Sequence, residues 1–417
     1  MGKTSGKRAL FGVAVLILGG WAISTFAAAP STAIQVSAPD RDYRDYPVTA
    51  VVSAPASAKS ATLTDAKSGQ TVACQLWRDG EKAMLTWIIP ELGKGSSLGF
   101  KVALSDTAPG PSDGVVIRQG SDAAEILIGG ALFTRYVTSG VSKPYCYPIF
   151  DATGTPVTRD FPMKEIEMEA KLKDRDHAHQ RSLWFTHGDV NGMDFWGEGA
   201  KAGKTVHRTF EAIEGGPVMG RLRALTDWIA PGGEKVCEDQ REIRFYKVAN
   251  GRLFDWDITV RATQGPVKFG DTKEGMFGFR LASTMKVDAK KIDPKIGGTI
   301  VNCDGLKDGD AWGKPAKWVD YCGPVQGKTV GIAVLDHPSS FRYPTYWHVR
   351  TYGLFAANPF GIHDFPGGKG KDGSHTIAKD DSITFRYRVF IHSGTTEEAK
   401  VAEVFDQFAN PPKITVN

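Results

Sequence analysis

One run near the C-terminus constrains this chain more than any other. Ser382-Ile-Thr-Phe-Arg-Tyr-Arg-Val-Phe-Ile-His alternates apolar and polar residues with period two. Successive side chains of a strand point to opposite faces, so the run predicts a strand with one buried and one wet face. Arg241-Glu-Ile-Arg-Phe-Tyr, Leu253-Phe-Asp-Trp-Asp-Ile-Thr-Val, Thr329-Val-Gly-Ile-Ala-Val-Leu and Lys164-Glu-Ile-Glu-Met-Glu read the same way. Val115-Val-Ile-Arg, Ala124-Glu-Ile-Leu-Ile and Leu132-Phe-Thr-Arg-Tyr-Val begin the series. Such alternation belongs to antiparallel sheets. The one good helix candidate is Thr395 to Phe408, where Thr395-Thr-Glu-Glu caps the start and Val401, Val404, Phe405 and Phe408 share a face. About fifteen strands and one helix predict an all-β fold, a large antiparallel β-sandwich with a C-terminal helix.

A smaller β unit precedes it. Short β-branched segments at roughly ten-residue spacing, separated by Lys67-Ser-Gly, Asp79-Gly and Gly93-Lys-Gly, predict a small sandwich over residues 30–110. Pro109-Gly-Pro-Ser-Asp-Gly ends it, and residues 111–417 form the main domain.

Residues 1–29 carry the pattern of a secretory signal. Lys3, Lys7 and Arg8 are followed by an uncharged stretch from Ala9 to Phe26 and then by Ala27, Ala28 and Ala29. The apolar run is roughly 18 to 20 residues, so a retained single anchor stands beside a cleaved signal. Either way the remainder is expected in the periplasm or outside the cell, and membrane attachment is expected only through the N-terminus. The formal charge of +4 includes the signal's own Lys and Arg, and no basic tract points to nucleic acid. Of the five cysteines, Cys303 and Cys322 are spaced to close a short loop in an oxidising compartment, and buried free thiols are the equal alternative.

The densest polar cluster is Asp176-His-Ala-His-Gln-Arg-Ser-Leu-Trp-Phe-Thr-His-Gly-Asp-Val-Asn-Gly. It holds three of the nine histidines, His177, His179 and His187. On a strand His177 and His179 share a face. With His187 they suit a divalent metal; equally they suit a sugar-binding acid/base site, because neutral imidazole donates and accepts protons near neutral pH. Ordinary histidines satisfying loop hydrogen bonds are the competing reading. Arg181, Asp189 and Asn191 flank the cluster.

Two further segments read as site walls. Phe269-Gly-Asp-Thr-Lys-Glu-Gly-Met-Phe-Gly-Phe-Arg places Asp271, Glu274 and Arg280 on a Gly-rich turn entering a strand. A partly desolvated carboxylate there approaches a base's working range. The segment from Asp336 to Gly361 joins His337, Trp347, His348, Arg350, Tyr352 and Asn358. Aromatic rings beside Arg, His and Asn suit carbohydrate, since C–H faces stack on rings and hydroxyls take directed hydrogen bonds. Core packing competes for Trp347 and Tyr352. With no GxSxG, P-loop or dinucleotide fingerprint, serine-hydrolase, phosphoryl and hydride chemistry lack support.

These segments carry a resemblance. Pro144-Tyr-Cys-Tyr-Pro-Ile, Pro156-Val-Thr-Arg-Asp-Phe-Pro-Met, Asp176-His-Ala-His-Gln-Arg-Ser-Leu-Trp, His187-Gly-Asp-Val-Asn-Gly, Asp271-Thr-Lys-Glu-Gly, Trp318-Val-Asp-Tyr-Cys-Gly and Asn358-Pro-Phe-Gly occur together over about residues 130 to 410. The chain thereby resembles an exported bacterial family of unknown function often labelled "methane oxygenase PmoA". Gln180 stands where the family pattern has a histidine, which weakens a metal site requiring it. The label implies a bundle of membrane-spanning helices, which this strand-rich chain is not. The family's strand pattern instead resembles the galactose-mutarotase-like supersandwich, whose members handle sugars with a His and a carboxylate. That step is an analogy of fold, which does not by itself define function.

The expectation is a carbohydrate-active enzyme. His179 and His187 polarise or protonate an oxygen, Glu274 takes a proton, and Arg181 and Arg350 hold hydroxyl or carboxylate groups. Asp189, Asn191, Asp271, Arg280, His337, Trp347, His348, Tyr352 and Asn358 complete the binding surface. No cofactor is expected, and the ligand is a carbohydrate or glycoside. The rivals are a non-catalytic glycan binder and a metal-dependent enzyme using His177, His179 and His187.

Overall fold

A computed structural model describes residues 32–110 and 112–417. The signal or anchor expected at 1–29 lies outside the described residues. No helix among them is long and apolar enough to cross a membrane.

The alternating run forms the strand Ser382–Ser393, with Ile383, Phe385, Tyr387, Val389 and Ile391 turned to the main core. It pairs antiparallel with Arg252–Arg261 on one side and Lys328–Asp336 on the other. These strands are central to an eight-stranded sheet. Its order is Lys204–Glu214, Met219–Ile229, Lys235–Tyr246, Arg252–Arg261, Ser382–Ser393, Lys328–Asp336, Trp318–Val325 and Thr299–Asn302. A second eight-stranded sheet runs Trp347–Val349, Leu354–Ala357, Gly275–Arg280, Leu183–His187, Tyr145–Ile149, Ala131–Val137, Ala123–Ile128 and Val115–Gln119. The two enclose one hydrophobic core in which Phe185, Trp228, Trp256, Phe277 and Phe385 interlock. Each such side chain contributes about 1.5–3 kcal/mol by leaving water. The fold is all-β, a large antiparallel sandwich.

The N-terminal unit is a smaller sandwich. A three-stranded sheet, Tyr43–Val52, Lys82–Leu92 and Cys74–Asp79, faces a five-stranded one around Trp87, Leu85, Phe100 and Ile34. The edge strand of the larger sheet is Lys413–Val416, from the other end of the chain. Arg221 of the main sheet reaches Asp79 at 3.2 Å and lies over the Trp77 ring.

Three local expectations are corrected, and one open alternative is resolved. Lys164-Glu-Ile-Glu-Met-Glu is not a strand, because its apolar side has no sheet to cover it. Met168 is 49% exposed, while Glu169 turns inward and accepts the N–H groups of Asp160 and Phe161 at 2.6 and 2.9 Å. A short helix, Glu167–Lys171, results. The C-terminal helix is Val401–Ala409, six residues later at its start than expected. Thr395 and Glu398 do exchange the reciprocal bonds of a capping box, at 2.8 and 3.2 Å, but these close a turn. Lys400 then takes a left-handed conformation (φ 54°) and the helix begins after it. His177 and His179 lie in a loop ahead of the strand Leu183–His187, not on a strand. Finally, all five cysteines are free thiols, so the loop from Cys303 to Cys322 is not closed by a bond.

Candidate functional site

The outer face of the second large sheet is where the polar segments meet. Tyr145, Trp184, Leu354 and Ala356 floor it, and Trp196 and Tyr352 pack over them. Three connections rise from this floor. The turn after Val349 carries Arg350 and Tyr352, closed by Arg350 N–H to Leu354 at 2.7 Å and Gly353 N–H to Arg350 at 3.0 Å. The loop before Leu183 carries Asp174 to Gln180. The turn before Gly275 carries Lys273 and Glu274.

Two buried guanidinium groups shape the histidine loop. Arg159 and Arg280 are both 0% exposed. Arg159 donates to the carbonyls of Asp174, His177 and Gln180 at 3.1, 3.0 and 3.3 Å. Arg280 donates to Gln180 Oε1 at 2.6 Å, to Asp176 at 2.9 Å and to Asp174. Asp174, fully buried, also accepts from Ser283 at 2.6 Å and lies 3.5 Å from Lys286 Nζ. With so many donors aimed inward, the backbone is over-determined, and His177 is held with a positive φ of 44°. Strain at a non-glycine residue persists only where surroundings impose it, and it gathers at functional sites.

His177 is the outcome of that scaffold. Its Nδ1 lies 2.8 Å from Asp176 Oδ2, and its ring lies on Tyr352, centroids 5.5 Å apart and planes 8° from parallel. Burial alone would raise the Asp176 carboxyl. The hydrogen bond from His177 and the charges of Arg280 and Arg159 outweigh it, and the carboxyl is held well below its ordinary range. His179 stands edge-on to His177 at 5.7 Å and to Trp196 at 6.4 Å. Burial, then the Lys143 charge, lowers it to about 4. The Arg350 guanidinium lies over Trp312 at 4.6 Å and Tyr352 at 5.7 Å. Arg181 forms a two-pronged pair with Glu198, both contacts 2.8 Å, and Lys143 approaches Glu198 at 3.5 Å. Burial lowers Lys143 to about 8. Glu274 is half-buried, paired with Lys273 at 2.8 Å, and its charge adds to burial in raising the Tyr352 phenol.

His179, Arg181, Glu274, Arg280, Arg350 and Tyr352 are therefore gathered with His177. The remaining expected residues are placed otherwise. His187 is 0% exposed, wedged between Phe269 and Phe360, with Nε2 2.8 Å from the Gly270 carbonyl. Burial drops its pKa to about 4, so it is a neutral core residue and presents no face to a ligand. It alternates with Trp184 across the sheet, so it points inward while the site lies outward. Asp189 does not orient its ring; it accepts the Gly192 N–H at 2.9 Å in a turn. Asn191 ties that turn to the Lys268 N–H at 2.7 Å. Asp271 clamps the N–H groups of His363 and Gly373. Asn358, fully buried, accepts from Phe360 and Gly361 at 3.0 and 3.1 Å. Trp347 is core, bonded to Ala316 O at 2.9 Å. His348 sits beneath the site, accepting from Trp312 Nε1 at 3.0 Å, with burial and then the Arg350 charge lowering it to about 3. His337 belongs elsewhere, on Phe408 of the C-terminal helix at 4.8 Å.

The expected metal trio does not assemble, since His187 faces the core and His177 faces out. Among the described residues the close group of metal-ligand types is Asp320, Cys322 and His392. Lys143, Glu198, Trp196 and Trp312 join the site without having been expected. They come from three separate loops, Trp196 and Glu198 sharing one, and none carries a local spacing that marks it.

The fold and this aromatic, strongly charged face define an all-β sandwich protein with a candidate ligand site on the outer face of one sheet. The chain belongs to the family described as "Family of unknown function (DUF6807)", which matches residues 123–406. Comparison with curated proteins gives no match. Among solved structures, an alpha-mannosidase from Enterococcus faecalis V583 aligns with a TM-score of 0.46 at 9% identity, over 93% of this chain and 46% of that one. A protein in the glycosyl hydrolase family 38 from Enterococcus faecalis aligns at 0.44, with 9% identity and coverages of 93% and 47%. A glycoside hydrolase family 97 enzyme in complex with acarbose, from Pseudoalteromonas sp. strain K8, aligns at 0.27, with 10% identity and coverages of 67% and 34%. This chain thus spans less than half the length of each.

Proposed function

We propose that this protein binds a carbohydrate or glycoside on the His177–Tyr352 face and acts on it by acid/base chemistry, outside the cytoplasm. The observation that carries the reading is the Asp176–His177 pair. An ionised Asp176 keeps the proton on Nδ1, which leaves Nε2 of an exposed ring free to accept a proton from a hydroxyl. Asp176 then stabilises the imidazolium that forms. His177 takes the role first expected of His187.

The neighbours suit the same ligand. Tyr352 and Trp312, both partly exposed, offer ring edges to sugar C–H groups. The Arg350 guanidinium makes no hydrogen bond to the described residues, and its N–H groups are free for hydroxyl or carboxylate oxygens. Glu274 is the second carboxylate, and His179, neutral at pH 7, is a further acceptor.

A panel of glycosides, uronates included, tests this by calorimetry and by turnover with the full chain. Binding that is lost in Tyr352→Leu, together with turnover lost in His177→Asn, is the expected result. Binding without turnover of any member makes the protein a glycan binder. Absence of binding across the panel sinks the carbohydrate reading.

A further inference from the structure

On the opposite side of the molecule, three strands place a second cluster that plays no part in the site above. Asp320 and Cys322 alternate on Trp318–Val325 and so share a face. His392 lies two strands away, on Ser382–Ser393. The strand between them contributes Gly331, which registers with Cys322 on one side and His392 on the other. A Cβ at Gly331 would stand 2.4 Å from His392 Nε2 and 2.8 Å from Cys322 Sγ. The missing side chain is what lets carboxylate, thiol and imidazole converge over the middle strand.

We propose that Asp320, Cys322 and His392 form a binding site for a divalent metal ion of the zinc class. One ligand atom from each lies within 4.8 Å of the others. Asp320 is 3.0 Å from Cys322 Sγ through one oxygen and 3.2 Å from His392 Nε2 through the other. Metal–ligand bonds of about 2.0–2.3 Å need only a small opening of these separations. A sulfur, an imidazole and a carboxylate are the donor set that favours zinc over calcium or magnesium. On binding, the thiol proton leaves to solvent, and thiolate plus carboxylate balance the dication. A net-neutral site is what a buried environment tolerates, and all three residues are buried. The fourth position has two sources. Thr396 Oγ1 is 3.8 Å from Cys322 Sγ, and Cys322 and Thr396 line a cavity of about 320 Å³ from which water enters. Thr396 begins the segment leading to Val401–Ala409, so the ion would fasten that segment to the sheet.

The test uses the full chain, stripped of metal with a chelator and titrated with Co²⁺ and then Zn²⁺. One Co²⁺ per chain should bind with a thiolate charge-transfer band in the near ultraviolet, and Zn²⁺ should abolish the band by displacement. Cys322→Ser and His392→Asn should each weaken binding by about 100-fold or more, the band vanishing in the first. Co²⁺ binding without that band, no binding, or a band retained in Cys322→Ser overturns the proposal. If the variants fail to fold, the wild-type chain still decides it. Zn²⁺ must slow alkylation of the Cys322 peptide, and an unchanged rate overturns the site.

Discussion

The His177 imidazole lies flat on the Tyr352 ring, 5.5 Å between centroids, with the Arg280 guanidinium 4.8 Å from that ring's centroid. A cation beneath an aromatic ring, and an imidazole tied to a carboxylate on it, make one rigid assembly from two connections and the end of a strand. Stacking fixes the plane of His177, and the Asp176 bond fixes its rotation about that plane. Rigid presentation of one ring nitrogen is what proton transfer requires.

His177→Asn should lower turnover of any accepted glycoside by roughly 10² to 10⁴, the usual contribution of a positioned proton-transfer group. Because the ring is substantially exposed, its loss opens no core cavity, and the urea midpoint should stay close to wild type. Turnover within a factor of about three of wild type would remove His177 from the mechanism.

Tyr352→Leu and Arg350→Ala should weaken ligand binding by about 1–3 kcal/mol each, the range of well-placed aromatic and Arg contacts at recognition sites. Calorimetry on the same ligand measures both. An affinity unchanged in the two variants means that the ligand sits elsewhere.

Asp174→Ala should destabilise the fold by about 3–5 kcal/mol, because it strands buried cations around an empty position. Arg159 at 3.4 Å, Arg280 and Lys286 at 3.5 Å lose their common partner. Asp176, nearly half exposed, is a weaker substitute. Urea denaturation gives the difference directly, and a loss under about 1 kcal/mol would show that solvent relieves the cluster.

Asp336→Asn should change stability in a pH-dependent way. Burial raises this carboxyl to about 7 in the folded chain, against an ordinary 3.8. The folded state therefore holds the proton more firmly, and stability present below the unfolded value is lost as pH rises through the folded one. Asparagine has no proton to lose. The variant should gain on wild type between about pH 4 and 7, by on the order of 4 kcal/mol in total, and then level off. Parallel wild-type and variant curves over that range would show the carboxyl to be ionised at an ordinary pH.

The histidine cluster illustrates how far residue order reaches. Alternation in Ser382–Ser393 and Arg252–Arg261 was enough to establish antiparallel strands with one core face, because a strand's period of two is local. The grouping of His179, Arg181, Glu274, Arg350 and Tyr352 was also legible, as polar density beside rings with no periodic face to fill. His187 was misassigned to the site because the end of its strand is set by the pairing of Leu183–His187 with Gly275–Arg280. That register turns His187 inward against Phe269 and Phe360.

By itself, then, the sequence determined that the chain is all-β, which stretches are strands, and that charged and aromatic residues concentrate in three segments. Period and composition act over neighbouring residues, and both are written along the chain. Only the tertiary structure decided that His177 meets Tyr352, that Glu198 joins Arg181, and that Asp320, Cys322 and His392 converge over Gly331. Those meetings depend on cross-strand register and loop closure between residues up to about 175 positions apart, which burial of the whole core selects and no local pattern encodes.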